Sequence, residues 1–310
     1  MKKYIKIMRL DHWIKQLFIV PGIIFAFILV PDKPSVSSIV INVIFGFLAT
    51  CMIASANYVI NEWLDAEFDK YHPTKKNRQV VSQDVNGKIV WALWIVLTAI
   101  GFVLGYFVGK VFLLLEIWLW VMGILYNVKP IRTKDVFILD VLSESVNNAI
   151  RLMMGWSIIS ADTIPPSSII LGYWMAGAFL MAIKRFAEYR MIGNPELAGK
   201  YRKSFEKYSE KSLFVSAFFY AMCSVFFLGV FLIKYRIEFL LLIPALIGLF
   251  CYYLWLSFKE NSVVQKPEAL FREKGLMIYC AVFVLLFVLL VYFDIPFLKI
   301  FTDNELIKLG

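Results

Sequence analysis

Four polar side chains recur at every fourth residue towards the end of a strongly apolar run: Asn57, Asn61, Asp65 and Asp69. Four residues of α-helix turn the chain by about 400°, so these side chains lie along one face of a helix. Amide and carboxylate oxygens are the ligands of Mg²⁺, which usually also contacts the phosphate of a substrate. The pattern therefore predicts that the stripe binds a hard divalent ion such as Mg²⁺. The alternative is a solvated helix end with ordinary i,i+4 polar pairs.

Basic side chains follow this acidic stripe at once, in the order His72, Lys75, Lys76 and Arg78. Such side chains donate strong hydrogen bonds to phosphate oxygens. We predict that this connection binds a phosphorylated ligand. Because the stripe adjoins a membrane span, where polar residues are functional by default, we favour this interpretation over a solvated helix end.

A second polar group closes a later apolar run, where the sequence reads AIKRFAEYR. Lys184 and Glu188 are i,i+4 neighbours there, and Arg185 lies beside Lys184. We predict that Lys184 and Arg185 form a second site for an anion, with Glu188 beside it. The alternative is that these charges only anchor the end of a span.

The run over residues 137–159 carries Asp140, Glu144, Asn147, Asn148 and Arg151 on one helical face. A guanidinium facing a polar cavity suits an oxyanion, so we predict a functional role for Arg151. For Asp140 and Glu144 a structural and a functional role remain open, since charges inside membranes pair with one another.

The first polar segment, MRLDHWIKQLFIVPG, combines Arg9, Asp11, His12, Trp13 and Lys15 at the start of an apolar run. Trp and Lys at this place are typical of an anchor at the membrane interface. We expect such an anchor, although His12 is also able to reach a phosphate.

Composition defines the class of protein that must position these groups. The chain has 310 residues, of which 60% are apolar and 17% aromatic, with a mean hydropathy of +0.72. These values are typical of a polytopic membrane protein. The net charge of +9 lies between apolar runs, so membrane topology and anionic lipid explain it better than nucleic acid, and we expect no nucleic-acid partner. The four cysteines are isolated within apolar runs and show no metal-ligand spacing.

Apolar runs of about spanning length predict an all-α bundle of nine transmembrane helices within a single domain, residues 1–310. The active-site loops are expected at 61–88 and 184–212. The fifth helix is the least apolar, and the first is expected to be retained rather than cleaved. The predicted spans are 14–30, 38–60, 89–108, 111–127, 137–159, 168–186, 213–233, 238–257 and 276–293.

The distribution of Lys and Arg predicts the orientation. With nine spans, 25 basic residues lie on the side of the N-terminus and 6 on the other, while Arg151 lies within a span. The excess places the N-terminus and both active-site loops in the cytoplasm and the C-terminus outside, in a cytoplasmic (inner) membrane.

The acidic stripe resembles the signature of the UbiA superfamily of intramembrane prenyltransferases, which are nine-helix bundles. Residues 61–69 read NEWLDAEFD, with Glu62 in place of the usual Asp of Asn-Asp-x-x-Asp-x-x-x-Asp. Members that prenylate aromatic rings carry a second aspartate-rich motif after the sixth helix, where this chain has Lys184, Arg185 and Glu188. The departure counts against the aromatic branch.

The chain resembles one subgroup of the superfamily, the decaprenyl-phosphate phosphoribosyltransferases, more than it resembles the aromatic branch. Gln79 stands where that subgroup usually has Pro. The resemblance extends over nearly the whole chain through the stretches HWIKQ, DKYHPTKKNR, LDVLSESVNNAIRLMMG, KRFAE and PEALFREKG.

This resemblance implies Mg²⁺-dependent transfer of a 5-phosphoribosyl group from phosphoribosyl pyrophosphate to a polyprenyl phosphate, with release of pyrophosphate. Asn61, Asp65 and Asp69 would then be catalytic through the metal, which neutralises the leaving pyrophosphate. The connection from His72 to Arg78 would bind either pyrophosphate or the 5-phosphate of the donor, with Asn57 nearby. Arg151, Lys184 and Arg185 would bind the phosphate of the lipid acceptor.

Two other functions compete with this one. A UbiA-type enzyme could move a prenyl group from a prenyl diphosphate to an aromatic acceptor, and the missing second acidic motif argues against it. A transporter or lipid flippase would have broken helices and charge on both membrane faces, whereas polarity here is concentrated on the cytoplasmic side.

Overall fold

A computed structural model describes residues 2–82, 85–259, 262–265, 270 and 272–301. Within these ranges the regular structure is entirely helical. Residues 83 and 84 of the predicted 61–88 loop lie outside them, as do residues 267–269 and 271 of the PEALFREKG stretch. The α-helices are α1 (Lys2–Ile7), α2 (Val20–Leu29), α3 (Val36–Asp69), α4 (Gln79–Ser82), α5 (Gly87–Val108), α6 (Lys110–Asn127), α7 (Leu139–Ile159), α8 (Ser167–Ile192), α9 (Pro195–Tyr201), α10 (Glu210–Tyr235), α11 (Ile243–Ser257) and α12 (Lys274–Tyr292).

Eight helical segments in the described ranges are long and apolar enough to cross a membrane. The first runs from Lys3 to Leu29 and includes a 3₁₀ stretch, Leu10–Ile19, between α1 and α2. The remaining predicted span, the fifth (137–159), corresponds to α7, which has 21 residues but too much polarity to qualify on composition. The all-α membrane bundle predicted from the sequence is therefore confirmed, with α7 as the polar member.

Helix α3 is longer than a membrane requires. At 1.5 Å per residue its 34 residues span about 51 Å, against roughly 30 Å of hydrocarbon. It begins at a capped end, where the Ser35 side chain accepts a hydrogen bond from the Ser38 N–H at 3.3 Å. Because α3 continues to Asp69, the acidic stripe lies on the last turns of the helix itself.

Helix α7 lies at the centre of the bundle, packed against α2, α6 and α8. Its contact with α2 is backbone against backbone. A Cβ atom on Gly22 would lie 2.0 Å from the Leu152 carbonyl oxygen, and one on Gly155 would lie 2.0 Å from that of Ile19. Glycine at both positions therefore permits the close approach of the two helices.

The polar ends of several helices meet on one side of the bundle. The C-terminal ends of α3, α6 and α8 lie there with the N-terminal end of α7, and the 3₁₀ turns Thr133–Asp135 and Lys203–Glu206 contact each other beside them. This end of the molecule collects most of the charged side chains that the sequence placed in the cytoplasm.

Candidate active site

The two aspartates of the α3 stripe are held by cations from other segments. Asp65 accepts a hydrogen bond from Arg132 Nη2 at 2.9 Å, and the Lys134 ammonium contacts the same carboxylate oxygen. Asp69 Oδ2 accepts one from Arg78 Nη1 at 2.7 Å. Burial lowers the pKa of Lys134 to about 8, although Asp65 opposes the shift. The charges of both carboxylates are therefore compensated by cations of the chain itself.

The two asparagines of the stripe face α6 rather than the aspartates. Asn57 donates to the Leu119 carbonyl oxygen at 3.3 Å, and its own Oδ1 is buried without a hydrogen-bond partner. Asn61 donates to the Asn127 side chain. The stripe thus divides into a half that joins α3 to α6 and a half that carries charge.

A small cavity of about 20 Å³ lies beside Asp65 and Asp69, with Asp135 also in its wall. This volume accommodates about one water molecule or a small ion. In the described ranges no three His, Cys, Asp or Glu side chains are placed to hold a metal by themselves. Mg²⁺ is commonly bound by one or two carboxylates together with substrate phosphates, so Asp65 and Asp69 fit that ion as a partial ligand set. The remaining lining residues are Phe68, Arg132, Lys134, Tyr201 and Arg202.

A larger cavity, of about 620 Å³, opens next to the stripe. Three segments form it: the N-terminal residues 5–12, the connection 72–79, and the end of α8. Of its fifteen lining residues all but two are polar or charged. They are Ile5, Lys6, Arg9, Leu10, Asp11, His12, Glu62, His72, Thr74, Lys75, Asn77, Arg78, Gln79, Lys184 and Glu188. The structure therefore brings five predicted ligand-binding residues together here: His72, Lys75, Arg78, Lys184 and Glu188.

His72 presents a neutral ring to this cavity. Its Nδ1 accepts hydrogen bonds from the backbone N–H groups of Thr74 at 3.2 Å and Lys75 at 3.1 Å. The proton consequently resides on Nε2, which is buried and has no hydrogen-bond partner. Burial, reinforced by the charge of Lys75, lowers the pKa of His72 to about 3. His72 is thus a donor without a protein acceptor in the wall of the cavity.

Lys75 connects the two predicted polar centres. Its ammonium donates to Glu188 Oε1 at 2.7 Å and to the Tyr201 hydroxyl. Burial alone would lower the pKa of Lys75, but Glu188 and Tyr201 together outweigh burial and the pKa is raised. The connection after α3 and the end of α8 therefore form a single charged site.

Arg185 is enclosed by carboxylates and does not reach the cavity. The side chain is 2% exposed, with Nη2 at 2.7 Å from Glu144, Nη1 at 3.1 Å from Glu188 and Nε at 3.5 Å from Asp140. The Tyr126 hydroxyl also donates to Glu144 at 2.6 Å. Arg185 is thus surrounded by carboxylates and lines neither cavity, which favours a structural role for its pairs with Asp140 and Glu144.

The other predicted residues lie apart from the cavity wall. Lys76 is exposed. Arg151 lies inside the bundle, where its Nε donates to Gln16 Oε1 at 2.8 Å and its Nη1 to Asn148 Oδ1 at 3.4 Å. None of the ion pairs in the described ranges involves Arg151. It is a cation within a membrane span that lacks a carboxylate partner.

Reasoning from sequence missed two groups of site residues. Lys6 and Arg9 line the large cavity, whereas Arg132, Lys134 and Arg202 line the small one. All five were explained by the positive-inside rule, because a cation that sets topology and one that binds a ligand have the same sequence pattern. The structure distinguishes a ligand-binding cation from one that only sets topology, because these five cations lie close to Asp65, Asp69 or His72.

The fold and this site define an integral membrane protein of the all-α polytopic class, with a charged site where several of its helices end. The family model for the UbiA prenyltransferase family matches residues 18–275. The chain belongs to this family, and it is accordingly a membrane transferase.

Individual relatives are more distant. Nodulation protein NoeC of Azorhizobium caulinodans is 27% identical over 202 residues, covering 64% of this chain and 62% of NoeC. Decaprenyl-phosphate phosphoribosyltransferase of Mycolicibacterium smegmatis is 27% identical over 220 residues, covering 67% of this chain and 63% of that protein. The match thus spans less than two thirds of these curated relatives.

Solved structures share the fold. A UbiA homologue from Archaeoglobus fulgidus, bound to GPP and Mg²⁺, superimposes with a TM-score of 0.68 over 94% of this chain and 100% of that chain, at 18% sequence identity.

Proposed function

We propose that this protein transfers the 5-phosphoribosyl group of phosphoribosyl pyrophosphate to a polyprenyl phosphate and releases pyrophosphate. The observation that carries the proposal is the composition of the 620 Å³ cavity. Five Lys and Arg residues line it, with only Ile5 and Leu10 as apolar members. A small ligand with several phosphates suits such walls, because Lys and Arg donate charge-assisted hydrogen bonds to phosphate oxygens.

Mg²⁺ would be held by Asp65 and Asp69, with Asn61 nearby, and would neutralise charge on the leaving pyrophosphate. The A. fulgidus homologue, described with Mg²⁺, supports this assignment. Arg78 contacts Asp69 at 2.7 Å and also lines the large cavity, so we assign the pyrophosphate end of the donor to the region beside the aspartates. His72 Nε2 and Lys75 supply further donors along that wall.

The acceptor supplies its own nucleophile. A phosphate oxygen of the polyprenyl phosphate forms the new bond to C1 of the ribose, while the C1–O bond to pyrophosphate breaks and its electron pair leaves with pyrophosphate. Because a phosphate monoester is already anionic, the reaction needs no strong general base. Arg151 and Lys184 are the cations that we assign to the acceptor phosphate, since Arg151 lacks a carboxylate partner and Lys184 is at the cavity. Arg185 instead holds the carboxylates of α7 and α8 in place.

This proposal retains the predicted architecture: one domain over residues 1–310, an inner-membrane location, and the site on the cytoplasmic side. The lipid tail of the acceptor would lie among the apolar helices. The match to the mycobacterial phosphoribosyltransferase supports the choice of donor, although other relatives are a 4-hydroxybenzoate octaprenyltransferase and a protoheme IX farnesyltransferase.

The direct test uses protein purified in detergent with Mg²⁺, labelled phosphoribosyl pyrophosphate and a polyprenyl phosphate. A labelled lipid that depends on both substrates and on Mg²⁺ is the expected result. Activity with a prenyl diphosphate and an aromatic acceptor, together with none from phosphoribosyl pyrophosphate, would replace this function with the alternative of the same family.

A further inference from the structure

The N-terminal segment forms a full wall of the large cavity, beyond its expected part as a membrane anchor. Lys6 and Arg9 contribute two of the five Lys and Arg residues in the described lining, and His12 lines the same cavity. The segment is more than an interfacial anchor, because its charged side chains line the same space as His72 and Arg78.

Hydrogen bonds at several points fix this wall to the bundle. Trp13 Nε1 donates to Ser55 Oγ on α3 at 2.9 Å, and Gln16 Oε1 accepts from Arg151 on α7 at 2.8 Å. The Tyr173 hydroxyl on α8 donates to the Phe18 carbonyl oxygen at 3.1 Å. A wall tied to three helices holds its cations in defined positions, as a binding site requires.

Arg9 has the backbone geometry of a position selected for its side chain. Its φ of 52° and ψ of 52° lie in the left-handed region, which is costly for a residue other than glycine and often marks a functional site. The guanidinium contacts His12 Nε2 and lies 3.6 Å from the carboxylate of Asp11, which is 55% exposed. Such a solvated ion pair is weak, so a phosphate can replace it at little cost.

We propose that the N-terminal wall, through Arg9 and Lys6, binds the 5-phosphate of the ribosyl donor. This inference rests on the proposed function. The Arg78–Asp69 pair assigns the pyrophosphate to the wall formed by residues 72–79. The second phosphate of the donor then meets the other basic wall of the same cavity. The N-terminal segment is thereby the element that distinguishes a donor with two separated phosphate groups from one with a single diphosphate.

The experiment measures binding of ribose 5-phosphate and of pyrophosphate with Mg²⁺ separately, by calorimetry on the purified full-length protein. Arg9→Gly is the main variant, because glycine adopts the left-handed backbone readily and only the guanidinium is lost. We expect a ten- to hundredfold weaker affinity for ribose 5-phosphate, and little change for pyrophosphate. Lys6→Ala should act in the same direction. Lys3→Ala, on the same segment but away from the cavity lining, is the matched control.

The outcomes separate the two proposals. If the wild type binds ribose 5-phosphate and Arg9→Gly binds it equally well, the N-terminal assignment fails while the function stands. If the wild type binds no ribose 5-phosphate and has no activity with phosphoribosyl pyrophosphate, the function itself fails. If Arg9→Gly raised only the KM for the polyprenyl phosphate, the N-terminal wall would bind the acceptor rather than the donor, and the inference would be overturned.

Discussion

At the scale of single residues, the central feature is that Asp65 and Asp69 are paired with cations from elsewhere in the chain. Arg132, Lys134 and Arg78 compensate the charge of the two carboxylates. In the proposed function the carboxylates would hold Mg²⁺, and these cations would bind phosphate oxygens of the donor. The charges of the site would then stay close to balanced, which limits the cost of holding many charges together.

We expect Asp65→Asn and Asp69→Asn to abolish turnover, because each removes one of the two carboxylates available to the metal. Activity should fall by at least about a hundredfold, as for other groups that stabilise developing charge. The measurement is the rate of transfer over a range of Mg²⁺ concentrations. Glu67→Gln, an exposed acid on the same helix, is the control and should remain active. Full activity of both variants at limiting Mg²⁺ would contradict the metal assignment.

The buried ring of His72 predicts a loss of stability in acid. The pKa of His72 is about 3 in the folded protein and 6.5 when unperturbed. Between these two values the imidazole is protonated in the unfolded chain and neutral in the folded protein. Stability from this group is complete above pH 6.5 and is lost progressively as the pH falls towards 3. The loss at pH 5 amounts to about 2 kcal/mol.

Thermal unfolding in detergent between pH 7 and pH 5 measures this effect. His72→Asn keeps an acceptor for the Thr74 and Lys75 N–H groups but cannot be protonated, so its midpoint should decline less than that of the wild type. Parallel declines in the two proteins would show that other groups cause the acid sensitivity.

At the scale of elements, Arg185 holds together helices that would otherwise carry unpaired charge. It pairs with Asp140 and Glu144 on α7 and with Glu188 on its own helix. Arg185→Ala leaves Glu144 without its cation and removes one of two cations from Glu188 and from Asp140, which keep Lys75 and Arg202 as partners. We expect this change to destabilise the protein by about 3–5 kcal/mol. Thermal unfolding in detergent provides the measurement.

Arg190→Ala is the matched control for this prediction. Arg190 lies on the same helix and pairs with Glu210 at 3.1 Å, with both side chains more than a third exposed. Such a surface pair contributes about 1 kcal/mol or less. If Arg185→Ala were as stable as the control and changed only the KM for the lipid, the phosphate role first predicted for Arg185 would stand instead.

The close contact of α2 and α7 gives a second prediction at this scale. Gly22→Ala and Gly155→Ala each place a methyl group 2.0 Å from a backbone carbonyl oxygen, so the helices must separate. We expect a loss of about 1–3 kcal/mol for each change. Gly229→Ala on α10 meets no atom within 4 Å and should be neutral or slightly stabilising. Thermal unfolding of the three variants compares them, and equal midpoints would contradict the close packing.

At the scale of the whole molecule, orientation is the property that remains to be measured. The count of 25 basic residues against 6 predicts a cytoplasmic N-terminus and a C-terminus outside. Labelling of single cysteines introduced at Lys3 and Lys299, in intact cells and in broken cells, tests this. Lys299 should react in intact cells and Lys3 only after lysis. The same response at both positions would place both termini on one side and show that one of the nine predicted spans does not cross the membrane.

The architecture followed from the sequence because hydropathy acts locally: each apolar run must be covered by lipid or by another helix. The charge partners did not follow, because they depend on which loops meet. Asp65 pairs with Arg132 and Lys134 from a connection more than sixty residues away, and Lys75 pairs with Glu188 over 113 residues. The sequence already showed that α7 is polar. Only the packed structure shows that Arg185 on α8 forms the ion pairs with Asp140 and Glu144 of α7.

The length of α3 bears on where the proposed chemistry lies relative to the lipid. Its 34 residues exceed the thickness of the hydrocarbon, and with the orientation that the basic residues predict, Asp65 and Asp69 would lie at the cytoplasmic surface of the membrane. At a surface potential of about −30 mV, an anion with three to four charges would be depleted there by a factor of roughly thirty to a hundred, and Mg²⁺ would be enriched. The basic walls of the cavity would counteract this depletion for the donor that we propose.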